Sequence, residues 1–324
     1  MFETSTISPP IQNVAFLNDV INGLSKKQKS ISSKYFYDET GDRIFQEIME
    51  LEAYYLTKAE YEIFKSNKEI ILSLFSPNQE PFNLIEFGAG DGYKTKVLLQ
   101  HFTEQKVDFR YLPIDISQNA LDGLENDLKQ NIPNLSVSGL QGDYFEVLEG
   151  LSHSSNKKNI VLFLGSNIGN FNDKEAISFL SKLRSDLNHG DMILIGIDLK
   201  KDPQKILNAY DDNLGVTANF NLNLLTRMNK ELGANFDLTK FQHHATYDPV
   251  SGECKSSLLS LEEQKVAISD QTFSFEKWEP IHTEISRKYH LSEVQEFALN
   301  SSFSIVEGLQ DANGYFVDSI WKAR

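Results

Sequence analysis

The sequence predicts an α/β protein: a mostly parallel, doubly wound sheet ending in an antiparallel hairpin, joined to a second domain of α+β type. Three observations predict it. Between residues 82 and 198, short apolar runs alternate with helical patterns, as in a parallel sheet covered by helices. Gly88, Gly90 and Gly92 alternate directly after the first run, where a strand turns into a helix and the backbone must bend sharply. Beyond residue 198 the alternation stops, and the chain closes on two apolar runs around Ala312-Asn313-Gly314.

Residues 1–12, with Pro9-Pro10, are expected to form an arm. Val14, Phe16, Leu17, Val20, Ile21 and Leu24 recur at helical period, so an amphipathic helix follows. An aromatic cluster at Ser33-Lys-Tyr-Phe-Tyr-Asp ends in a turn at Gly41; Ile44, Phe45, Ile48 and Met49 then suggest a short helix, and Glu52 to Tyr55 a loop. Thr57-Lys-Ala-Glu60 has capping-box spacing and is expected to start the helix carrying Tyr61, Ile63, Phe64, Ile70 and Ile71. Parallel strands are expected at 82–87, 109–114, 135–140, 160–164 and 192–197, with helices at 93–101, 117–129 and 173–187. Asn172 and Glu175 can form a capping pair before the last of these helices. The fourth and fifth strands are nearly all apolar, which fits burial on both faces. Residues 203–233 read as helix, 242–285 as short strands with turns at Asp248-Pro249 and Ser251-Gly252, 292–300 as helix, and 303–309 with 315–321 as the closing hairpin.

A chain of 324 residues is long enough for one large or two ordinary domains, each with its own core. Its 31 basic against 46 acidic residues give a net charge of −15, and without a Lys/Arg-rich run a phosphate backbone is repelled, so nucleic acid is not an expected partner. Cys254 is the only cysteine, which excludes an intrachain disulfide and a cysteine metal cluster and suits a reducing, cytoplasmic setting. No stretch reaches the roughly 20 apolar residues of a membrane span. His243-His244 do not read as a metal site, because neighbouring residues point apart and no third ligand has the right spacing. All seven histidines are therefore taken as structural, no metal is expected, and Trp278 and Trp321 are expected in a core or interface.

The glycine turn, Leu84-Ile-Glu-Phe-Gly-Ala-Gly-Asp-Gly-Tyr-Lys-Thr-Lys96, lacks the third glycine of G-x-G-x-x-G, whose place is held by Tyr93, and lacks P-loop spacing as well. It does fit acid-x-G-x-G-x-G, which resembles motif I of the class I methyltransferases that bind S-adenosylmethionine (SAM). The terminal hairpin after five parallel strands is likewise similar to the Rossmann-like, seven-stranded sheet of that class. The resemblance implies SAM as cofactor, held by Glu86, Gly88, Ala89 and Gly90. In a doubly wound sheet the ligand lies beyond the C-terminal strand ends. Asp115 ends the second strand 29 residues after Glu86 and suits the ribose hydroxyls, or else caps a helix. By the same logic Gly142 and Asp143 lie near the adenine amino group, and Gly165 follows the fourth strand. Lys94 opens the first helix, where the dipole disfavours a cation; it reads either as a partner for the cofactor's methionine carboxylate or as a solvated lysine.

Three further stretches extend the resemblance to nearly the whole chain. Ser33-Lys-Tyr-Phe-Tyr-Asp with Phe45 and Tyr54-Tyr55-Leu-Thr, Gly165-Ser-Asn-Ile-Gly-Asn170, and Ile281-His-Thr-Glu-Ile-Ser-Arg-Lys-Tyr289 together resemble the histidine-specific Nα-methyltransferases of ergothioneine biosynthesis. The resemblance implies three methyl transfers to the α-amino group of L-histidine, giving hercynine. By position in these motifs, Asn170, Tyr210 and Tyr54 hold the α-carboxylate, Tyr37 and Phe45 wall the amino group, and Glu284 and Ser286 clamp the imidazole. Tyr37 with water is the expected proton acceptor, the one catalytic role assigned. The family's organisation implies a SAM-binding domain of residues 61–199 and 287–324, a substrate-binding domain of 13–60 and 200–286, and the 1–12 arm. Where the family commonly has Ile-Glu-Met, this chain reads Glu253-Cys-Lys-Ser-Ser257, a smaller or more polar wall, and Asn167 stands where threonine is usual. The partner expected is a small amino acid, with no obligate protein partner. The rival readings are methylation of another aromatic amino acid or of a histidine derivative, and a non-catalytic SAM-binding module.

Overall fold

Leu84 and Ile85, adjacent apolar residues of the first expected strand, must point to opposite faces of any sheet they enter. Both are fully buried, in different hydrophobic clusters, so the sheet is covered on two sides. The structure, a computed structural model, describes residues 13–115, 118–142, 144–152 and 157–324. The expected arm at 1–12 and Asp143 lie outside the described residues.

Five parallel strands occur in chain order: β1 (Phe82–Phe87), β2 (Phe109–Asp115), β3 (Leu140–Gln141), β4 (Lys158–Phe163) and β5 (Met192–Asp198). Two antiparallel strands at the end of the chain, β11 (Phe303–Gln310) and β12 (Phe316–Ala323), complete a sheet of order β11-β12-β5-β4-β1-β2-β3. On one face lie α3 (Tyr55–Phe75), α4 (Thr95–Glu104) and α5 (Gln118–Asn131), with Phe64, Leu98 and Leu128 packed on Leu84, Tyr111 and Leu162. The other face carries α6 (Tyr144–Ser152), α7 (Asp173–Ser185) and α10 (Leu291–Asn300), whose Leu148, Leu180 and Phe297 join Ile85, Val161 and Ile195. This is the class I SAM-dependent methyltransferase fold. The chain reverses its direction of travel across the sheet between β1 and β4, which makes their C-terminal ends the switch point where such sheets bind ligands.

Three local expectations change. The third strand shrinks to Leu140–Gln141, because Gly139 donates its N–H to the Glu125 carboxylate instead of to a ladder; upstream of it, Val137 makes only an isolated bridge to Tyr111. Helix α3 starts at Tyr55 and not at a Thr57 cap, and Glu60, read as a capping acid, is completely buried. Trp321 is buried as expected, whereas Trp278 is 56% exposed with φ of +69°. The capping pair before α7 does form: Asn172 accepts from the N–H of Lys174 and Glu175, and Glu175 accepts from the N–H of Asn172.

The chain divides into two compact units, one of Tyr55–Lys201 with Ser286–Arg324, the other of the residues up to Tyr54 with Asp202–Ile285. Residues 55–60, 200–201 and Ser286, expected in the substrate-binding domain, lie in the sheet unit, since α3 is continuous from Tyr55. The second unit contains α1 (Val14–Leu24), α2 (Glu39–Glu50), α8 (Pro203–Tyr210) and α9 (Val216–Leu232). It also holds the hairpin of β8 (Gln264–Ile268) and β9 (Gln271–Phe275), and a three-stranded sheet of order β10-β7-β6. That sheet comprises β6 (Phe241–Tyr247), β7 (Glu253–Ser260) and β10 (Pro280–Arg287), the last running past the unit boundary at residue 285. The expected helical stretch 203–233 is interrupted after Tyr210, where Gly215 takes φ of +74° and the Asp212 carboxylate accepts the N–H groups of Leu214, Val216 and Thr217. Phe16, Phe36, Leu224, Met228 and Ile281 form the core of this unit.

Gly196 of β5 is required by Glu60: a Cβ at this position would lie 2.0 Å from Glu60 Oε1 and 3.1 Å from the Phe316 ring. Gly196→Ala should therefore destabilise the protein by about 1–3 kcal/mol, as overpacked buried sites do, which urea denaturation will measure.

Candidate active site

The turn after β1 has the backbone that its glycines foretell: Gly88, Gly90 and Gly92 have φ of +65°, +53° and +65°. An added Cβ would strike the Tyr144 hydroxyl from Gly88 and Leu124 from Gly92, but from Gly90 it would meet none of the described residues within 4 Å, so these leave open space at the middle of the turn. Ala89 is buried beside it. Asp115 ends β2, Gly142 follows β3 with its N–H on the Asp115 carbonyl, and Gly165 follows β4 with φ of +71°. The parallel registers set these ends side by side, so Gly88, Asp115, Gly142 and Gly165 share the C-terminal edge of the sheet. A glycine cradle with an open centre and a strand-end carboxylate fit a nucleoside cofactor.

Two of the expected cofactor residues have other contacts. Glu86 is buried, and its carboxylate accepts hydrogen bonds from Thr95 (2.7 Å) and Tyr111. Burial pushes this carboxyl up to about 7, against the lowering effect of the two hydroxyl donors. It braces the start of α4 from inside. Lys94 pairs with Glu60, whose two oxygens also accept the Gly165 N–H at 2.9 and 3.0 Å. The cation that the helix dipole disfavours is thus held by an acid from α3, over the turn that follows β4. Asp318, buried near Glu60, is pushed far above the usual carboxylate range by desolvation first and by Glu60 second. The neutral form lets two carboxyl groups share one interior site.

A second set of charges surrounds Asp198 at the end of β5. Tyr55 donates to it at 2.8 Å and Lys288 at 2.9 Å, and Lys201 completes the set. Burial raises the Asp198 carboxyl, but Lys288 and Lys201 together outweigh it and hold it below its ordinary range. Lys201, desolvated over the Tyr55 ring at 4.2 Å, is pushed down to about 8. Lys288 also donates to Ser286 Oγ at 2.9 Å. Asn170 closes a single 3-10 turn, Asn167–Asn170, that begins after Ser166. Ser166 has φ of +59° without being glycine, and its hydroxyl accepts the Asp198 N–H at 3.0 Å.

In the other unit, four expected substrate residues form one aromatic group. Ring centroids lie 5.7 Å apart for Tyr37–Phe45, 6.2 Å for Phe45–Tyr54 and 6.4 Å for Tyr54–Tyr210. Phe220 of α9, which the motifs do not include, stands 5.9 Å from Tyr37 and 5.8 Å from Phe45. The segment with Tyr37 is fixed from α9: Arg227 donates to the Tyr35 and Tyr37 carbonyls, and Asn223 to Asp38, the cap of α2. His243 bonds the Tyr210 carbonyl at 2.9 Å and anchors the end of α8, while His244 beside it is exposed. No group of metal-binding side chains occurs among the described residues. Glu284 lies on β10, where Ile281 and Thr283 are buried on the alternate face and Thr283 donates to Asn221 at 2.7 Å. In β7, where the methionine is missing, Cys254, Ser256 and Ser257 are buried and the Ser257 hydroxyl bonds His282 at 3.1 Å.

The sequence reading missed Glu60, Asp198, Lys201, Lys288 and Phe220. Asp198 carried a usable signal, an acid ending a parallel strand as Asp115 does. Lys288 lay inside a quoted motif without a role, and Glu60 was hidden by its resemblance to a capping acid.

Compared with known proteins, residues 16–323 match the model of a family described as histidine-specific methyltransferase, SAM-dependent. A histidine N-alpha-methyltransferase of Mycobacterium tuberculosis is 33% identical over 279 residues, 86% of this chain and 85% of that one. Its counterpart from Mycolicibacterium smegmatis is 34% identical over 277 residues, covering 85% and 84%. Ergothioneine biosynthesis protein 1 of Schizosaccharomyces pombe is 32% identical over 289 residues, 87% of this chain but 37% of that longer protein.

Glu86 makes the stability pH-dependent. Its folded value of about 7 exceeds the ordinary 4.5, so between these pH values the folded state holds a proton that the unfolded state has released. Stability from this group is full below about 4.5 and falls as pH rises to about 7. In Glu86→Gln that fall should shrink by roughly 1–3 kcal/mol in urea titrations at pH 5 and 7.5.

Proposed function

Because the chain belongs to the histidine-specific, SAM-dependent methyltransferase family, we propose that it methylates the α-amino group of L-histidine three times, giving hercynine for ergothioneine synthesis. The observation that carries the substrate is the stretch Ile281–Tyr289, in which β10 turns Ile281 and Thr283 into the core and leaves Glu284 and Ser286 on the alternate face. A carboxylate accepts the imidazole N–H and a hydroxyl serves the other ring nitrogen. Such a pair rejects side chains that leave it unsatisfied.

SAM, when bound, supplies a methyl group on a sulfonium centre and so needs no further activation. Gly88, Ala89, Gly90, Gly142 and Gly165 give it close backbone approach, and Asp115 receives the ribose hydroxyls. Asp143 is assigned to the adenine amino group. Glu86 and Lys94, engaged with Thr95, Tyr111 and Glu60, act by shaping the turn. Asn170, Tyr210 and Tyr54 hold the α-carboxylate, while Tyr37, Phe45 and Phe220 surround the amino group. Tyr37, 44% exposed, relays the proton: its hydroxyl hydrogen passes to water as its oxygen receives the hydrogen of the ammonium. The rings favour the cationic methylated intermediates, which keeps them for the next transfer. A cytoplasmic reaction on a free amino acid, without nucleic acid, is supported by the −15 charge and the lone buried cysteine. The small polar β7 wall favours a second reading, in which another aromatic amino acid or a histidine derivative is the acceptor.

Mass spectrometry of the protein with SAM and each proteinogenic amino acid is expected to show gains of one, two and three methyl groups on histidine alone. Gains on a different amino acid would support the second reading. Glu284→Ala should lower kcat/KM for histidine roughly 10- to 100-fold, the loss of one hydrogen bond to a charged group.

A further inference from the structure

Asp318 of β12 has no exposed surface, and neither of its side-chain oxygens receives a donor from any described residue. An ionised carboxylate left in that state is too unstable to keep, so the group persists as the acid. Its neighbour is a second acid. β12 pairs with β5 so that Asp318 stands opposite Gly196, and Glu60, equally buried, takes the space that a Cβ of Gly196 would fill. The two side chains are within hydrogen-bonding reach, yet two ionised carboxylates would offer acceptors only. The contact therefore needs a proton, carried by one acid and directed at the other.

The other bonds of Glu60 decide which acid carries it. Its Oε1 and Oε2 accept the Gly165 N–H at 2.9 and 3.0 Å, and Oε2 also takes the Lys94 ammonium. Those are the partners of an ionised carboxylate, so Glu60 is the anion and Asp318 the acid. Burial first, and the charge of Glu60 second, hold the Asp318 carboxyl far above its ordinary range. With Lys94 the set sums to zero charge. Glu86 of β1 also interacts electrostatically with Lys94 and Glu60, from the strand that leads into the glycine turn.

We propose that Asp318 is a positioning residue for the cofactor: as a carboxylic acid it donates to Glu60 and so holds that carboxylate against Lys94 and the Gly165 N–H, at the strand ends where SAM binds. The proposal rests on the assignment of the glycine turn and Gly165 to the cofactor, and is independent of the acceptor. Lys94 stands at the start of α4, directly after the glycine turn, and Gly165 follows β4. β1 and β4 are neighbours in the sheet, so one carboxylate ties together the loops at the ends of both. A donor on Glu60 fixes the direction in which its oxygens face. Without it, Glu60 is free to turn toward Lys94 and release the Gly165 N–H.

Binding of S-adenosylhomocysteine is measured by titration calorimetry. Asp318→Leu keeps the approximate size of the side chain and removes the donor. Its Kd should rise about tenfold, the loss of one hydrogen bond to a charged group, while KM for histidine at saturating SAM stays unchanged. Asp318→Asn keeps an N–H donor and should restore wild-type affinity. A merely structural role would lower the urea midpoint and leave Kd alone; wild-type affinity in Asp318→Leu would overturn the proposal, as would equal weakening in both variants.

A measurement on the unaltered protein covers variants that do not fold. With aspartate labelled in 13C, the Asp318 carboxyl carbon, assigned through its own backbone, should keep the NMR shift of a protonated acid at pH 8; an ionised carboxylate there would refute the proposal. Failure of the cofactor assignment looks different: Gly90→Leu, which fills the open centre of the glycine turn, would then bind S-adenosylhomocysteine as the wild type does.

Discussion

A carboxylate with no exposed surface, Asp198, ends the fifth parallel strand, and the chain around it is arranged to keep that charge paired. Tyr55 comes from the first turn of α3, Lys201 from the chain leaving β5, and Lys288 from the chain that re-enters the sheet unit. The backbone of the same residue receives Tyr289, and its N–H is taken by Ser166 of the turn after β4. Four stretches are therefore tied to one residue, three through its carboxylate and one through its backbone N–H. Removing any one partner would leave a buried charge short of its compensation, which is far more destabilising than loss of a surface pair.

Glu60 repeats the device one strand further in. It brings α3 to the Gly165 turn, holds Lys94 of the glycine turn, and needs the missing side chain of Gly196 for its own room. The two acids together explain how strand-end loops, which have no ladder to hold them, take fixed positions. They also explain why Ser166 keeps a left-handed backbone conformation without being glycine, since its hydroxyl is bonded within the Asp198 set. In the other unit the organising element is α9, whose Asn223 and Arg227 pin the loop carrying Tyr37 while its Phe220 joins the aromatic group. There the positioning force is ring contacts together with hydrogen bonds from Asn223 to the Asp38 carboxylate and from Arg227 to two carbonyls.

Much of this was legible in the residues. Alternating strand and helix patterns announced the parallel sheet, because a strand buried on both faces must be apolar throughout and β4 and β5 nearly are. The positive φ angles at Gly88, Gly90 and Gly92 follow from a strand-to-helix turn that L side chains would strain. The Asn172 cap was readable because its partners lie within three residues. The third strand was less so, since the competitor for its N–H, Glu125, sits on a helix fourteen residues earlier in sequence. The family resemblance also named Tyr37, Phe45, Tyr54 and Tyr210, which the structure gathers into one group.

By itself, then, the sequence determined the sheet, its glycine turn, its closing hairpin and the kinship of the chain, because these depend on local periodicity and on short motifs. Only the tertiary structure decided which charges are internal. Glu60 finds Lys94 across 34 residues, and Asp198 finds Tyr55 across 143. An ionisable residue reads the same whether it will face water or the interior, and nothing in its neighbours along the chain states its partner. Burial alone separates the two fates, by making an unpaired charge too unstable to keep. For that reason Glu60 reads as a capping acid and Lys288 as an unassigned lysine until the chain is folded.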